Sequence, residues 1–503
     1  MAITSPSTMG MAAAPVKAAL STNYIDFTSD AGNNGWQQQF LPDLMEKEAE
    51  VFGNRTISGF LSQVGAEESM SSDQVVWSEQ GRLHLSYQGI ISNTAGQVTI
   101  QTDIDGNALT TTHGIRINDM VLLSTAAGTI RGMVTDGAGA TNDIITVLPY
   151  EGVNLAATVA NGGLGATGST TPCTILVFGS EFSKGTQNFG AHSEGARGVQ
   201  PSFQSFSNKP IIIKEYYEIN GSDASQIGWV EVSGEDGQNG YLWYLKAAGD
   251  TRQRFGDYLE MTMMEAVKGV PASSAIDQAT NANAMSNAFP GTGNPFGTQG
   301  LFDAIDDRGN VATGVLGTSC TQDLIEFDNI LAEFDNQGAI EENMMFLNRT
   351  TALAVDDMLA CMNSYGTGGS SYGVFDNSED MALNLGFSGF RRGSYDFYKS
   401  DWKYLNDKAT RGSINSRDSI TPVRGVIVPA GVSSVYDQQL GKNLKRPFLH
   451  VRYRASQTES RKYKTWTTGS VGATTSDLDA MEMHFLSERC LITQGANNFM
   501  LFR

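Results

Sequence analysis

The chain is short of charge. Asp, Glu, Lys and Arg make up 17% of its 503 residues, against about 25% in an ordinary globular protein. Gly, Ser, Thr, Asn and Gln fill the difference, and desolvating an amide or hydroxyl costs far less than desolvating an ion. Such a surface suits a protein that lies against neighbours. Cysteine is scarce too. Cys173, Cys320, Cys361 and Cys490 are scattered and form no CxxC pair, which argues against a disulfide framework or zinc site and for folding in a reducing cytoplasm. Met1 to Leu20 has no basic leader followed by an unbroken apolar core, so no secretion signal is expected. Nowhere do about 18 apolar residues run together, so no membrane span is expected. The sequons at Asn54, Asn220 and Asn348 then read as chance triplets.

Basic residues are also in deficit. The net charge of −20 repels nucleic acid and anionic membranes at long range. His84, His113, His192, His450 and His484 are dispersed, with no HExxH spacing, and no GxSxG elbow occurs. No catalytic residue, cofactor or metal ligand is assigned on sequence, and an enzyme is not expected. At this length two or three packed units are expected rather than one core.

Residues 1–38 are small, polar and aperiodic and read as an arm. From Leu41 an amphipathic pattern (Leu41, Leu44, Met45, Phe52, with Glu46, Glu48 and Glu50 mostly elsewhere) predicts a short helix. Residues 66–225 alternate with period two, as in Leu83 to Tyr87 and Ile211 to Tyr217, and predict extended β structure. Within them, about 108–180 carries short strands between Gly, Ala, Thr and Asn clusters, which predicts a small inserted sandwich or barrel. A long helix is predicted over about 240–268, with Tyr241, Leu245, Ala248, Phe255, Leu259 and Met263 on one face and Asp250, Arg254, Asp257 and Glu260 on the other. Gly249 and Gly256 each weaken it by about 1 kcal/mol relative to Ala, so it must lie across something. An α/β module follows. Ser319 and Gln322 form a capping box, Leu324, Phe327, Leu331 and Phe334 make an apolar stripe, and Gly338 ends the helix. Met344 to Leu347 reads as a buried strand, and Asn348 caps a second helix that Gly366 closes. Strands are expected at Tyr395 to Tyr398, Gly425 to Val428 and Phe448 to Tyr453, and from Met481 onward. The apolar terminus Phe499 to Phe502 should be docked.

Three constellations were weighed against plainer alternatives. Gly163 to Gly168 matches GxGxxG, but a strand rather than a helix follows, so it reads as a loop. Asp103-Ile-Asp105-Gly106 lacks the spaced ligands of a calcium loop and reads as a tight turn. The third is a basic strip. Between Gly441 and Lys464, Lys442, Lys445, Arg446, Arg452, Arg454, Arg461, Lys462 and Lys464 face only Glu459, a local +7 that leaves −27 elsewhere. With Phe448, Tyr453 and Tyr463 interleaved it has the makings of a nucleic-acid stripe. The favoured alternative is a candidate inter-subunit electrostatic strip that meets acidic surface on another copy, such as residues 46–50. A plain solvated face is the third.

The order of these parts resembles the major capsid proteins of tailed bacteriophages, the Hong Kong ninety-seven type: an α+β fold with an N-terminal arm, an extended β loop, a spine helix, and peripheral and axial domains. Asn239 to Leu245, Gly297 to Ile305 and Lys462 to Thr468 look like the capsid proteins of crAss-like phages of gut bacteria. The resemblance implies an arm and short helix over 1–65, an extended loop over 66–225 with the inserted β domain at about 108–180, and a peripheral domain over 226–318. It further implies an axial domain over 319–465 and a return to the peripheral domain over 466–503. It also implies a virion protein made in the bacterial host cytoplasm, assembling with itself into hexamers and pentamers around double-stranded DNA without sequence-specific contact. A portal protein and capsid accessory or head-fibre proteins would be its partners. Some relatives carry a long scaffolding segment that is cleaved off; residues 1–38 leave no room for one, so a separate scaffold protein is implied. The rival from another class is a phage tail, fibre or carbohydrate-binding β-rich module, with an enzyme third.

Overall fold

The computed structural model describes residues 59–503 except 62–65, 82–83, 92–95, 110–112, 138–143, 156–163, 165–170, 186–202, 228–231, 234–238, 241–242, 270–296, 364–388, 416–421, 438–441 and a few single positions. The expected arm, the short helix at Leu41 and the closing role of Gly366 lie outside the described residues. The rest is a mixed α/β chain, rich in β structure.

A helix at Trp243–Glu265 spans 23 residues, roughly six turns. Ala248, Phe255, Leu259 and Met263 are buried as their spacing predicts. Two positions depart from expectation. Leu245 is 42% exposed, while Glu260, assigned to the polar face, is buried. The helix lies on a sheet in which Ala480–Thr493 is the central strand. That strand pairs antiparallel with Ile211–Asn220, Lys464–Gly469 and Leu449–Arg454, and the last pairs in parallel with Ala66–Met70. Phe255 packs against Phe485 of the central strand at 5.9 Å and Tyr463 at 5.3 Å between ring centroids.

A second sheet has the order Asn310–Ala312, Met500–Phe502, Gly425–Pro429, Glu342–Leu347, Tyr395–Asp401, Gly389–Arg392. Helices Cys320–Gln337 and Arg349–Asn363 pack on it, burying Phe327, Phe334, Val355 and Met358 against Met345, Phe397 and Phe502. The local signals hold. Ser319 Oγ accepts from the Gln322 N–H at 3.4 Å, Gly338 ends the helix at φ 62°, and Asn348 Oδ1 accepts from the Thr351 N–H at 2.8 Å.

The two sheets divide the chain differently from the sequence expectation. Leu449–Arg454, expected in the axial module, belongs to the first sheet, and Met500–Phe502, expected in the return segment, sits inside the second. Pairing with distant strands, which local sequence does not show, sets where each one lies. Cys320 also departs from expectation, being disulfide-bonded, because a bridge needs proximity in space rather than along the chain. Cys173 and Cys490 are free and buried, and burial pushes their thiols up to about 11 and about 12.

From the first sheet a two-stranded ribbon leads away, Val75–Gln80 paired antiparallel with Phe203–Asn208. Beyond it the chain forms a closed six-stranded barrel from Ser86–Ile91, Gln97–Asp103, Ile144–Pro149, Gly128–Gly137, Asp119–Thr125 and Thr171–Ser180, in that order round the wall. The insertion therefore begins at Ser86, not about 108, because Ser86–Ile91 pairs with both Gln97–Asp103 and Thr171–Ser180 and completes the ring. Its core, including Ile91, Val98, Val121, Leu123, Val134, Ile145 and Ile175, is built from barrel residues alone. Closure leaves no open edge. Gly132 is required where two strands of the wall pack closely, since a Cβ there would meet the Val147 side chain at 2.4 Å. Gly106 donates its N–H to the Asp103 carbonyl at 3.2 Å with φ +83°, the tight turn that the sequence suggests. Of the GxGxxG stretch only Leu164 is described, buried in the barrel core.

Candidate assembly surfaces

Where the ribbon leaves the body, its strands are clamped rather than hinged. Asn208 is buried, and its amide donates to the carbonyls of Leu491 at 2.6 Å and Gln299 at 3.0 Å. Its Oδ1 accepts from the Gln299 N–H at 2.9 Å and the Thr298 hydroxyl at 3.1 Å. Beside it the Arg308 guanidinium lies 4.3 Å from the Phe206 ring and 5.6 Å from the Trp77 ring, and pairs with Glu79 at 3.5 Å. Burial pulls the Arg308 pKa down, with Glu79 the main opposing charge. Glu79 also accepts from the Trp77 indole N–H at 2.9 Å and the Gly495 N–H at 3.0 Å. Arg308 thus joins the ribbon to the helix Leu301–Arg308, while Asn208 ties the ribbon to the central strand. Arg308→Ala is expected to cost about 2 kcal/mol through the lost ring and carboxylate contacts. Limited proteolysis should then cut faster within 75–80 and 203–208 while the barrel stays protected; an unchanged cleavage pattern would contradict the clamp.

The basic strip lies mostly along the first sheet, and the structure gives many of its cations partners within the chain. Arg452 pairs with Glu68 at 3.1 Å; Arg454 pairs with Glu488 at 2.6 Å and with Asp73; Arg461 pairs with Glu488 at 2.7 Å; Lys462 pairs with Glu67; and Lys464 pairs with Glu459 at 2.6 Å. The parallel register sets Glu68 opposite Arg452. Lys442, Lys445 and Arg446 belong to Lys442–Pro447, which pairs with Val432–Asp437; their side chains lie outside the described residues, as does the expected acidic partner at 46–50. Of the interleaved rings, Tyr463 packs under the long helix, and Lys462 covers the Tyr453 ring at 5.4 Å. Nothing in the sequence signalled Glu67, Glu68, Asp73 or Glu488 as partners, because they come from segments outside the strip that only the fold brings beside it.

A row of rings crosses the same sheet. Tyr216 and Trp466 stack on His484 at 6.3 and 5.1 Å, at registered positions of three neighbouring strands. The Thr468 hydroxyl lies 2.8 Å from both His484 Nε2 and Glu482 Oε2. Sequence inspection missed this grouping, whose members are brought together by register alone.

Solved structures of phage proteins match the chain weakly. A chain from the "Capsid structure of the Cyanophage P-SCSP1u" matches with TM-score 0.39 and 10% identity, covering 96% of this chain and 98% of that one. A structure from Mycobacterium phage Ogopogo matches with TM-score 0.38 and 11% identity over 92% and 96% of the two chains. One from Microbacterium phage Oxtober96 gives 0.36 and 8% over 93% and 98%. No protein-family model and no curated protein matches. At these values no residue takes a role from the matched structures.

The point where residues 1–58 join the body is held by Glu260. Its carboxylate accepts from the N–H of Gly59 at 2.6 Å and of Phe60 at 3.2 Å, and the Phe60 ring stacks on Trp402 at 4.4 Å. Burial raises the Glu260 pKa above its ordinary value, the two amides acting the other way. The folded chain therefore holds this proton more tightly than the unfolded chain. Stability from this group is fully present below the ordinary glutamate pKa and is lost as pH rises through the elevated folded value. Glu260→Gln should flatten that part of the stability profile; denaturant midpoints across pH 4 to 8, about the range that the shift addresses, check it. A parallel loss in wild type and variant would exclude Glu260 as the source. No described helix is long and apolar enough to cross a membrane.

Proposed function

We propose that this chain is a structural subunit of a phage head, a major capsid protein of the Hong Kong ninety-seven type similar to those of crAss-like phages. It would assemble with itself into hexamers and pentamers that enclose double-stranded DNA. The observation that carries this reading is the clamped ribbon ending in a barrel with a core of its own. A rigid extension that shares no core with its own body gains its function by reaching something else. In this reading the long helix is the spine, the first sheet the peripheral domain and the second the axial domain. Residues 1–65 are the arm and short helix. Lys442, Lys445 and Arg446 remain the part of the basic strip that meets a neighbouring copy. A separate scaffold protein, a portal protein and accessory or head-fibre proteins complete the assembly in the host cytoplasm, and the virion is the destination.

Heterologous contacts that close by symmetry supply the assembly rule. Co-expression with the scaffold protein, followed by electron microscopy, tests it. Uniform closed shells are expected. Discrete trimers or monomers that bind glycan would overturn it in favour of a fibre or carbohydrate-binding module.

A further inference from the structure

The strand Ala66–Met70 is an edge of the first sheet, paired with Leu449–Arg454. That pairing is parallel, whereas the other described pairings of the sheet are antiparallel, and a parallel ladder is slightly weaker per residue. Burial adds little. Of Glu67, Glu68, Ser69 and Met70, Met70 alone is buried. Acids supply much of the hold: Glu68 pairs with Arg452 at 3.1 Å, Glu67 with Lys462, and Asp73, just past the strand, with Arg454. These three acid side chains are 27%, 39% and 62% exposed, against 8% for Glu488 further into the sheet. Ion pairs this exposed contribute little each and fade as salt rises.

Beneath the strand lies a thiol. Cys490 is wholly buried in a cluster with Met70, Val75, Trp77 and Ile492, and its Sγ lies 4.0 Å from Met70 Sδ. The cover has two parts of unequal strength. Val75 and Trp77 belong to the ribbon, which Asn208 and Arg308 clamp to the body, whereas Met70 belongs to the strand held by exposed ion pairs. Met70 is the part that lifts first.

We propose that residues 66–73 are a salt-sensitive latch, which swings off the edge of the first sheet as a unit while the rest of the sheet stays folded. Opening uncovers Cys490 and separates Arg452, Arg454 and Lys462 from Glu68, Asp73 and Glu67. Arg454 keeps Glu488, while the backbone edge of Leu449–Arg454 is bared. One strand thus masks or presents the basic edge of the sheet, whether or not the chain builds a shell.

Local opening of this kind needs less free energy than global unfolding, and the thiol reports it. Burial pushes Cys490 up to about 12 in the closed state, and only a thiolate reacts. Pulse alkylation of the full-length protein with iodoacetamide, read by peptide mass spectrometry, measures the opening, with Cys173 in the barrel core as internal reference. As sodium chloride rises from about 0.01 to about 1 M, the screening length falls from about 30 to about 3 Å. Labelling of Cys490 should then quicken about tenfold relative to Cys173, equivalent to about 1.4 kcal/mol spread over three pairs. Protein carrying Glu67→Gln, Glu68→Gln and Asp73→Asn should label Cys490 as fast at low salt as the wild type does at high salt, with the salt dependence gone. Met70→Ala should raise the rate at every salt concentration and leave the salt dependence in place. Protection of Cys173 verifies that each variant is folded. Equal, salt-independent labelling of the two thiols would mean that the strand leaves only on global unfolding, and would overturn the latch. So would a salt response that survives the three acid substitutions. A Cys490 rate that responds to Arg308→Ala but not to those substitutions assigns the opening to the ribbon and overturns it as well.

Discussion

Glu488→Ala is expected to destabilise the free protomer by about 3 kcal/mol, because it strips two guanidinium groups of their shared carboxylate. Glu488 is buried; its Oε1 accepts from Arg454 Nε at 2.6 Å, and its Oε2 forms an ion pair with Arg461 at 2.7 Å. Its backbone N–H also donates to the Arg461 carbonyl at 3.0 Å, fixing the turn that carries both cations. Removing the acid leaves positive charge next to Lys462, and neither arginine is exposed enough to be solvated fully. A double-mutant cycle with Arg454→Ala should return a coupling of about 1 to 3 kcal/mol, and the loss should persist at high salt because the pair is partly buried. The exposed pair Lys464 and Glu459 is the contrast: Glu459→Ala should leave the denaturation midpoint unchanged. The outcome bears on function as well as stability. If Glu488→Ala left the protomer untouched and instead weakened only its assembly, the strip would be serving neighbours rather than its own sheet.

Phe255→Ala should cost about 3 to 5 kcal/mol, in the range seen when a large aromatic is deleted from a close-packed core. The ring is wholly buried between the long helix and the central strand, against Phe485, Tyr463 and partly buried Ile213 and Met483. Gly249 and Gly256 face open space on the same helix, so little else compensates. Loss of this size is a large share of the 5 to 15 kcal/mol typical of a domain, and it should appear as faster hydrogen exchange in Ala480–Thr493 and Ile211–Asn220. Phe255→Leu, which keeps much of the volume, should cost less than half as much. Equal effects of the two changes would mean that the helix is held elsewhere.

Much of the secondary structure was legible because its signals are local. Ser319, Gly338 and Asn348 act on backbone groups within four residues, so their roles could be read from spacing alone. The buried row of the long helix followed from its period, and the strand at Glu342–Leu347 from its unbroken apolar run. Glu260 did not follow. Its place on the polar face was a sound inference for an isolated helix, and it is buried only because the amides of Gly59 and Phe60, 201 and 200 positions away, need an acceptor there. The partners of Arg454 within the chain did not follow either: composition exposed the charge of the strip, but Asp73 lies 381 positions from Arg454. The barrel was half read, since strand spacing announced a β insertion, while the strands that close it had looked like part of the loop.

By itself the sequence determined the long helix, the two capped helices at Cys320–Gln337 and Arg349–Asn363, many of the alternating strands, and that charge is scarce and unevenly spread, but not the helix at Leu301–Arg308. The tertiary structure alone decided that Leu449–Arg454 and Met500–Phe502 lie in different sheets, that the ring closes at Ser86, and that Arg452, Arg454, Arg461, Lys462 and Lys464 each have an acid of the same chain beside them. The division has a physical cause: propensity, capping and periodicity act over one or two turns of chain, whereas strand pairing and burial are chosen by whichever distant segments can satisfy each other's hydrogen bonds and exclude water together.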